Sequence, residues 1–89
     1  MEIDNYTHEI FTNFKCGLIS MTQEKHVYDT QKGDFLFFYP SRNKITINRV
    51  VGRTKKTNLP IVKTEINESE WEVNDNEELK MALDLINNN

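Results

Sequence analysis

One cysteine, two prolines and three glycines are all that this 89-residue chain holds of the residues that staple, break or loosen a backbone. The lone Cys16 rules out an internal disulfide and, with it, a small disulfide-stapled secreted scaffold. No stretch approaches the roughly 18 consecutive apolar residues of a membrane-spanning helix. No apolar run of signal-peptide length follows Met1, and Glu2 and Asp4 carry the wrong charge for the start of one. These absences lead to the expectation of an intracellular protein, cytoplasmic in a bacterial host, with no membrane partner.

Catalytic and cofactor signatures are equally scarce. Gly52-Arg-Thr-Lys-Lys-Thr57 has the look of a phosphate loop but lacks the second glycine and the Gly-Lys-Ser/Thr ending. His8, His26 and Cys16 fall in three different segments, without the spacing of a zinc site. The carboxylates of the C-terminal part lack the order of a calcium loop. Cys16 stands at the end of a helical pattern, where the helix dipole raises a thiol pKa, so it reads as a small buried residue and not a nucleophile. No cofactor, no metal and no enzymatic activity are expected. With no internal repeat and no linker, residues 1–89 form a single domain.

Apolar residues make up 37% of the chain, against roughly 45–50% in ordinary globular domains. A domain this small buries only about 60–65% of the surface its unfolded chain exposes, so a homodimer or a complex with a partner is a natural way to add buried area. Aromatic residues, 10% of the chain, offset part of the shortage.

The segment around which the chain is organised is Phe35-Leu-Phe-Phe-Tyr39, followed by Pro40-Ser-Arg-Asn43 and then Lys44 to Val51. Five large apolar or aromatic residues in a row, bounded by turn residues, predict a strand buried on both faces. Proline and asparagine supply a tight turn. The second strand carries Ile45, Ile47 and Val51 on one side and Thr46 and Asn48 on the other. Phe37, Phe38, Ile45, Ile47 and Leu83 are the expected core.

Upstream, Ile3, Tyr6, Ile10, Phe11 and Phe14 trace one face of a helix, capped by Asp4 or Asn5, with Gly17 at the position after its end. Two short strands follow, Leu18–Thr22 and His26–Thr30, and Gly33 takes a turn that needs positive φ. Downstream, 52–58 reads as a polar loop, and 61–66 as an edge strand begun by Pro60. Residues 67–73 alternate Glu70, Trp71, Glu72 and Val73 as a short strand or an arm laid over the core. Asp75 and Glu78 form a capping-box pattern ahead of the stripe Leu79, Ala82, Leu83 and Ile86, and 87–89 fray. The order α-β-β-β-β-β-α predicts an α+β domain, an antiparallel sheet of about five strands with an N-terminal and a C-terminal helix. A partly closed barrel flanked by the same helices is the competing architecture.

Charge is laid out in two blocks. From Arg42 to Lys63 there are seven basic residues and no acidic one; from Glu65 to Asp84 there are eight acidic residues and only Lys80. Internal complementation of the two blocks is the plain reading. The functional reading is an acidic strip of Glu65, Glu68, Glu70, Trp71, Glu72, Asp75, Glu77 and Glu78 that docks on a basic protein partner, with carboxylates standing where a target's lysines and arginines expect phosphates. Trp71 either covers the sheet or projects as an anchor. The abundance of Asn, Lys and Ile follows AT-rich coding, pointing to a low-GC bacterium, its phage or a plasmid. Together these features suggest an inhibitor of a host nucleic-acid-handling protein, such as a defence nuclease. The alternative is a nucleic-acid-binding or regulatory protein that grips phosphates with Arg42, Lys44, Arg49, Arg53, Lys55 and Lys56. The net charge of −3 weighs against it.

Overall fold

The computed structural model describes residues 1–53, 60–64 and 70–88, with the backbone alone at 49–53 and 60–64. Its elements run α1 (Asn5–Asn13), β1 (Gly17–Met21), β2 (His26–Asp29), β3 (Phe35–Tyr39), a 3₁₀ turn (Pro40–Arg42), β4 (Lys44–Arg53), β5 (Pro60–Thr64), β6 (Glu70–Glu72) and α2 (Asn76–Asn88). This is a small α+β domain, an antiparallel sheet flanked by an N-terminal and a C-terminal helix. No helix of the described residues is long and apolar enough to cross a membrane.

Strands β1 to β5 form a meander in sequence order, every neighbour antiparallel. Both β5 and β6 pair with β4 on the edge that β3 leaves free, so the sheet is five strands wide and its last position is shared. Thr64 faces Asn48 while Glu70 faces Thr46, so the chain advances six residues where β4 advances two. Among the described residues β1 pairs with neither β5 nor β6, and the sheet is open, not a closed barrel.

Asp4 caps α1: its carboxylate accepts from the Thr7 amide at 2.9 Å, and its own amide donates to the Thr7 hydroxyl at 3.1 Å. The helix ends on a left-handed residue, but that residue is Lys15, at φ 59°, and not Gly17. The Cys16 amide donates back to Phe11 and the Lys15 amide to Thr12, which satisfies the last carbonyls. At α2, Asp75 accepts from the Glu78 amide at 2.8 Å. Glu78 returns not to Asp75 but to Asn74, whose amide and side chain both donate to it. The helix persists to Asn88 where fraying was expected; Asn87 donates to the Phe14 carbonyl at 3.2 Å and ties the two helix ends together.

Both helices lie against one face of the sheet. Ile10 and Phe11 of α1, with Leu79, Ala82, Leu83 and Ile86 of α2, meet Tyr28, Leu36, Phe38 and Ile45 in one buried cluster. Phe11 stacks on Tyr28 at 3.9 Å between ring centroids and touches Phe38 at 5.4 Å. Thr7, buried at the start of α1, donates to Asn76 at the start of α2. Ile47 joins the core as a half-buried flank.

Strand β3 departs from expectation. It is buried on one face only: Leu36 and Phe38 are fully enclosed, while Phe35, Phe37 and Tyr39 are half-buried on the face opposite the helices. A strand alternates its side chains, and with both helices on one side nothing from either helix reaches the other. Phe37 is therefore not a core residue. Strand β4 is longer than expected, taking in Gly52 and Arg53, and bends at a bulge between Val50 and Gly52. Strand β1 is an edge with every residue exposed, Leu18, Ile19 and Met21 included.

Replacing Phe38 by Ala should cost about 3–5 kcal/mol in urea unfolding, the usual range for an emptied aromatic site. Phe37→Ala should cost no more than about 1.5 kcal/mol, because its ring is only half removed from water. Equal losses would mean that both faces of β3 are covered.

Candidate functional site

The acidic strip is divided by the pleat of β6. Glu70 and Glu72 sit opposite Thr46 and Lys44, on the face away from the helices. Trp71 sits opposite Ile45, on the helix side, half-buried and packed against the core. Glu65 and Glu68 lie outside the described residues. Asp75 serves as the cap of α2, Glu78 holds Asn74, and Glu77 pairs with Lys80 at 3.1 Å.

The basic set meets the acidic one. Lys44 opens β4, and its ammonium lies 3.2 Å from Glu70, each side chain about one-third exposed (35% and 36%). Such an exposed pair is worth only about 0–1 kcal/mol, but it sets the local charge near zero. Arg42, in the 3₁₀ turn, lies over the Tyr39 ring at 5.5 Å. Arg42, Asn43, Lys44, Glu70, Trp71 and Glu72 line one open cleft of about 370 Å³. Arg49 and Arg53 belong to the part of β4 described by its backbone alone, and Lys55 and Lys56 lie outside the described residues. At this end of the sheet Lys44 and Glu70 neutralise each other.

On the far side of Trp71 the surface changes character. Trp71, Glu72, Glu78, Met81, Ala82 and Leu85 line an open groove of about 280 Å³ between β6 and α2. Its floor is Ala82, buried, and its walls include Met81 at 66% and Leu85 at 53% exposure, large apolar side chains standing in solvent. The helical repeat explains the position. Leu79, Ala82, Leu83 and Ile86 turn to the core, and Met81 and Leu85, four residues apart, share the flank. The same spacing sets Glu77, Glu78 and Asp84 around Met81. Sequence reading passed over Met81 and Leu85 because the buried stripe was complete without them. Their signal was their surplus: two apolar residues on a helix whose core face was already filled.

Comparison with protein-family models, with curated proteins and with solved structures returns no match to the chain. The site stands on its own geometry.

Of the nucleophile and base candidates, His8 is exposed, while Cys16 and His26 are buried. Cys16 is buried, and loss of water pushes its thiol up to about 11. Burial also pushes the Tyr28 hydroxyl up to about 12, with the neighbouring Cys16 adding to it. Burial holds His26 below its ordinary value, and His8 adds a smaller push in the same direction. All three are therefore neutral at pH 7, as apolar surroundings require. Among the described residues no three His, Cys, Asp or Glu side chains gather as a metal site would need.

The raised thiol has a consequence for stability. A thiol that ionises near 9 when unfolded and near 11 when folded contributes stability that is complete below pH 9 and lost as pH climbs toward 11. The urea midpoint should therefore fall across that window, and Cys16→Ala should delay the onset to the higher range set by Tyr28. A midpoint flat from pH 9 to 11 would mean that Cys16 is open to solvent.

Proposed function

We propose that this chain is a non-enzymatic binding protein that docks a protein partner in the groove between β6 and α2. The observation that carries this reading is the exposed apolar surface of Met81 and Leu85 beside the half-buried Trp71, rimmed by carboxylates. Aromatic anchors, methionine and exposed aliphatic side chains in a partly dry groove are what interface centres are made of, with charged residues at the rim. Glu72 and Glu78 line this groove and Glu77 and Asp84 flank Met81 on the helix, so the fitting partner segment is apolar at its centre and basic at its edges.

Basic segments of that kind are common on proteins that handle nucleic acids. A small acidic protein seated on one would compete with phosphate for the same lysines and arginines, which makes inhibition of a host nucleic-acid enzyme, a defence nuclease among them, the activity that fits. An origin in a phage or mobile element agrees with the Asn-, Lys- and Ile-rich composition, and the working compartment is then the bacterial cytoplasm. A second copy has its best seat elsewhere, on the exposed edge β1, which with its flanking residues (16–23) carries no charge.

Affinity capture of the tagged protein from a host lysate, with and without nuclease treatment, tests the reading. A protein partner should survive nuclease. Met81→Glu with Leu85→Glu should weaken its capture at least tenfold, the effect of losing a residue from an interface centre, and Glu72→Lys should slow association most at low salt. Retention lost to nuclease, or capture indifferent to the groove variants, would remove the groove as the working surface.

A further inference from the structure

We propose that the face of the sheet opposite the helices is a second binding site, which holds two adjacent bases of a single-stranded nucleic acid on the rings of Phe37 and Tyr39. Strand β3 is the middle of the five positions, and it sends Phe35, Phe37 and Tyr39 to the face that neither helix covers. The neighbours of Phe37 in register are Val27 and Thr46, both short, and its ring is half-buried on that face. Bases stack on aromatic side chains regardless of sequence, and rings displayed on an open sheet are a recurrent platform for unpaired strands.

Each of the two rings carries its own cation. The Lys25 ammonium lies 4.6 Å from the Phe37 centroid, and the Arg42 guanidinium 5.5 Å from that of Tyr39. An occupant that brings a flat π surface and a negative charge together, repeated along a chain, is a nucleotide strand. Rings two residues apart on a strand stand about 6.7 Å from each other, comparable to the step of an extended single strand and too long for stacked duplex bases.

Charge also limits the site to two bases. Asp29 faces Phe35 on the same side of the sheet and would repel a phosphate there. At the other margin Glu70 is paired with Lys44, and Glu72 belongs to β6, two strands and roughly 10 Å from β3. The strand's path is thus confined to the Phe37–Tyr39 end, between Lys25 and Arg42. A weak, sequence-tolerant interaction follows from so small a footprint.

Fluorescence anisotropy of a labelled oligothymidylate of about a dozen nucleotides, long enough to cover a site of this kind, reads the proposal directly. The single strand should bind at low salt and a duplex of equal length should not compete. The salt slope should be about 1.4, two phosphate contacts at roughly 0.7 each. Phe37→Leu and Tyr39→Leu should each weaken binding about tenfold, and Lys25→Gln with Arg42→Gln should flatten the salt slope. Tyr39 closes its strand and Lys25 and Arg42 lie in turns, so these variants read the site even where Phe37→Leu disturbs folding, which circular dichroism will show. No binding at low salt, equal binding of duplex, or affinity unchanged by the ring and cation variants would overturn it.

Discussion

A sheet has two faces, and this chain has two helices that both lie on the same one. Strand β3 carries a large apolar or aromatic side chain at every position, so whatever the helices cover, the alternate side chains must remain on the other face. Leu36 and Phe38 are sealed beneath α1 and α2; Phe35, Phe37 and Tyr39 are left half-buried. The covered face supplies the core, in which the stacked pair Phe11–Tyr28 joins the first helix to the sheet and Phe38 meets Phe11. Each further feature of the surface depends on this asymmetry.

Where β6 rejoins β4, the pleat sorts neighbours in the chain to opposite sides. Trp71 turns toward α2 and makes one wall of an apolar groove; Glu70 and Glu72 turn to the open face, where Lys44 neutralises the first. The charge blocks that look opposed in sequence are thus partly spent on each other and on the cap of α2. What is left for partners is the groove with its carboxylate rim on one side and the ring surface with its two cations on the other. The two surfaces adjoin at β6, where Trp71 and Glu72 line both the groove and the cleft that Arg42 borders.

Much of the fold was legible where local chemistry decides structure. Asp75 ahead of a 3.6-residue stripe announced α2, Pro40 and Asn43 announced the turn after β3, and Gly33 announced another. The unbroken run Phe35–Tyr39 misled, because contiguity alone cannot tell a strand covered on both faces from one whose outer rings are left half-buried. Lys15 took the left-handed position that Gly17 suited better, since the carbonyls of Phe11 and Thr12 needed donors sooner. Strand β6 was ambiguous because three residues carry no periodicity of their own; pairing with β4 defines them. The candidate groove was half visible, its carboxylates and Trp71 being evident, but Met81 and Leu85 gain meaning only once the core face of α2 is known to be full.

That neither helix covers the Phe37–Tyr39 end of the far face, where Asn48 beside Phe35 is nonetheless buried, is the claim on which the rest stands. It is tested most directly by nuclear magnetic resonance of the aromatic ring protons with a soluble paramagnetic agent added. Rings open to solvent broaden and enclosed rings stay sharp. The account predicts strong broadening at Phe37 and Tyr39, with Phe11, Tyr28 and Phe38 unaffected. Protection of Phe37 and Tyr39 equal to that of Phe38 would contradict it.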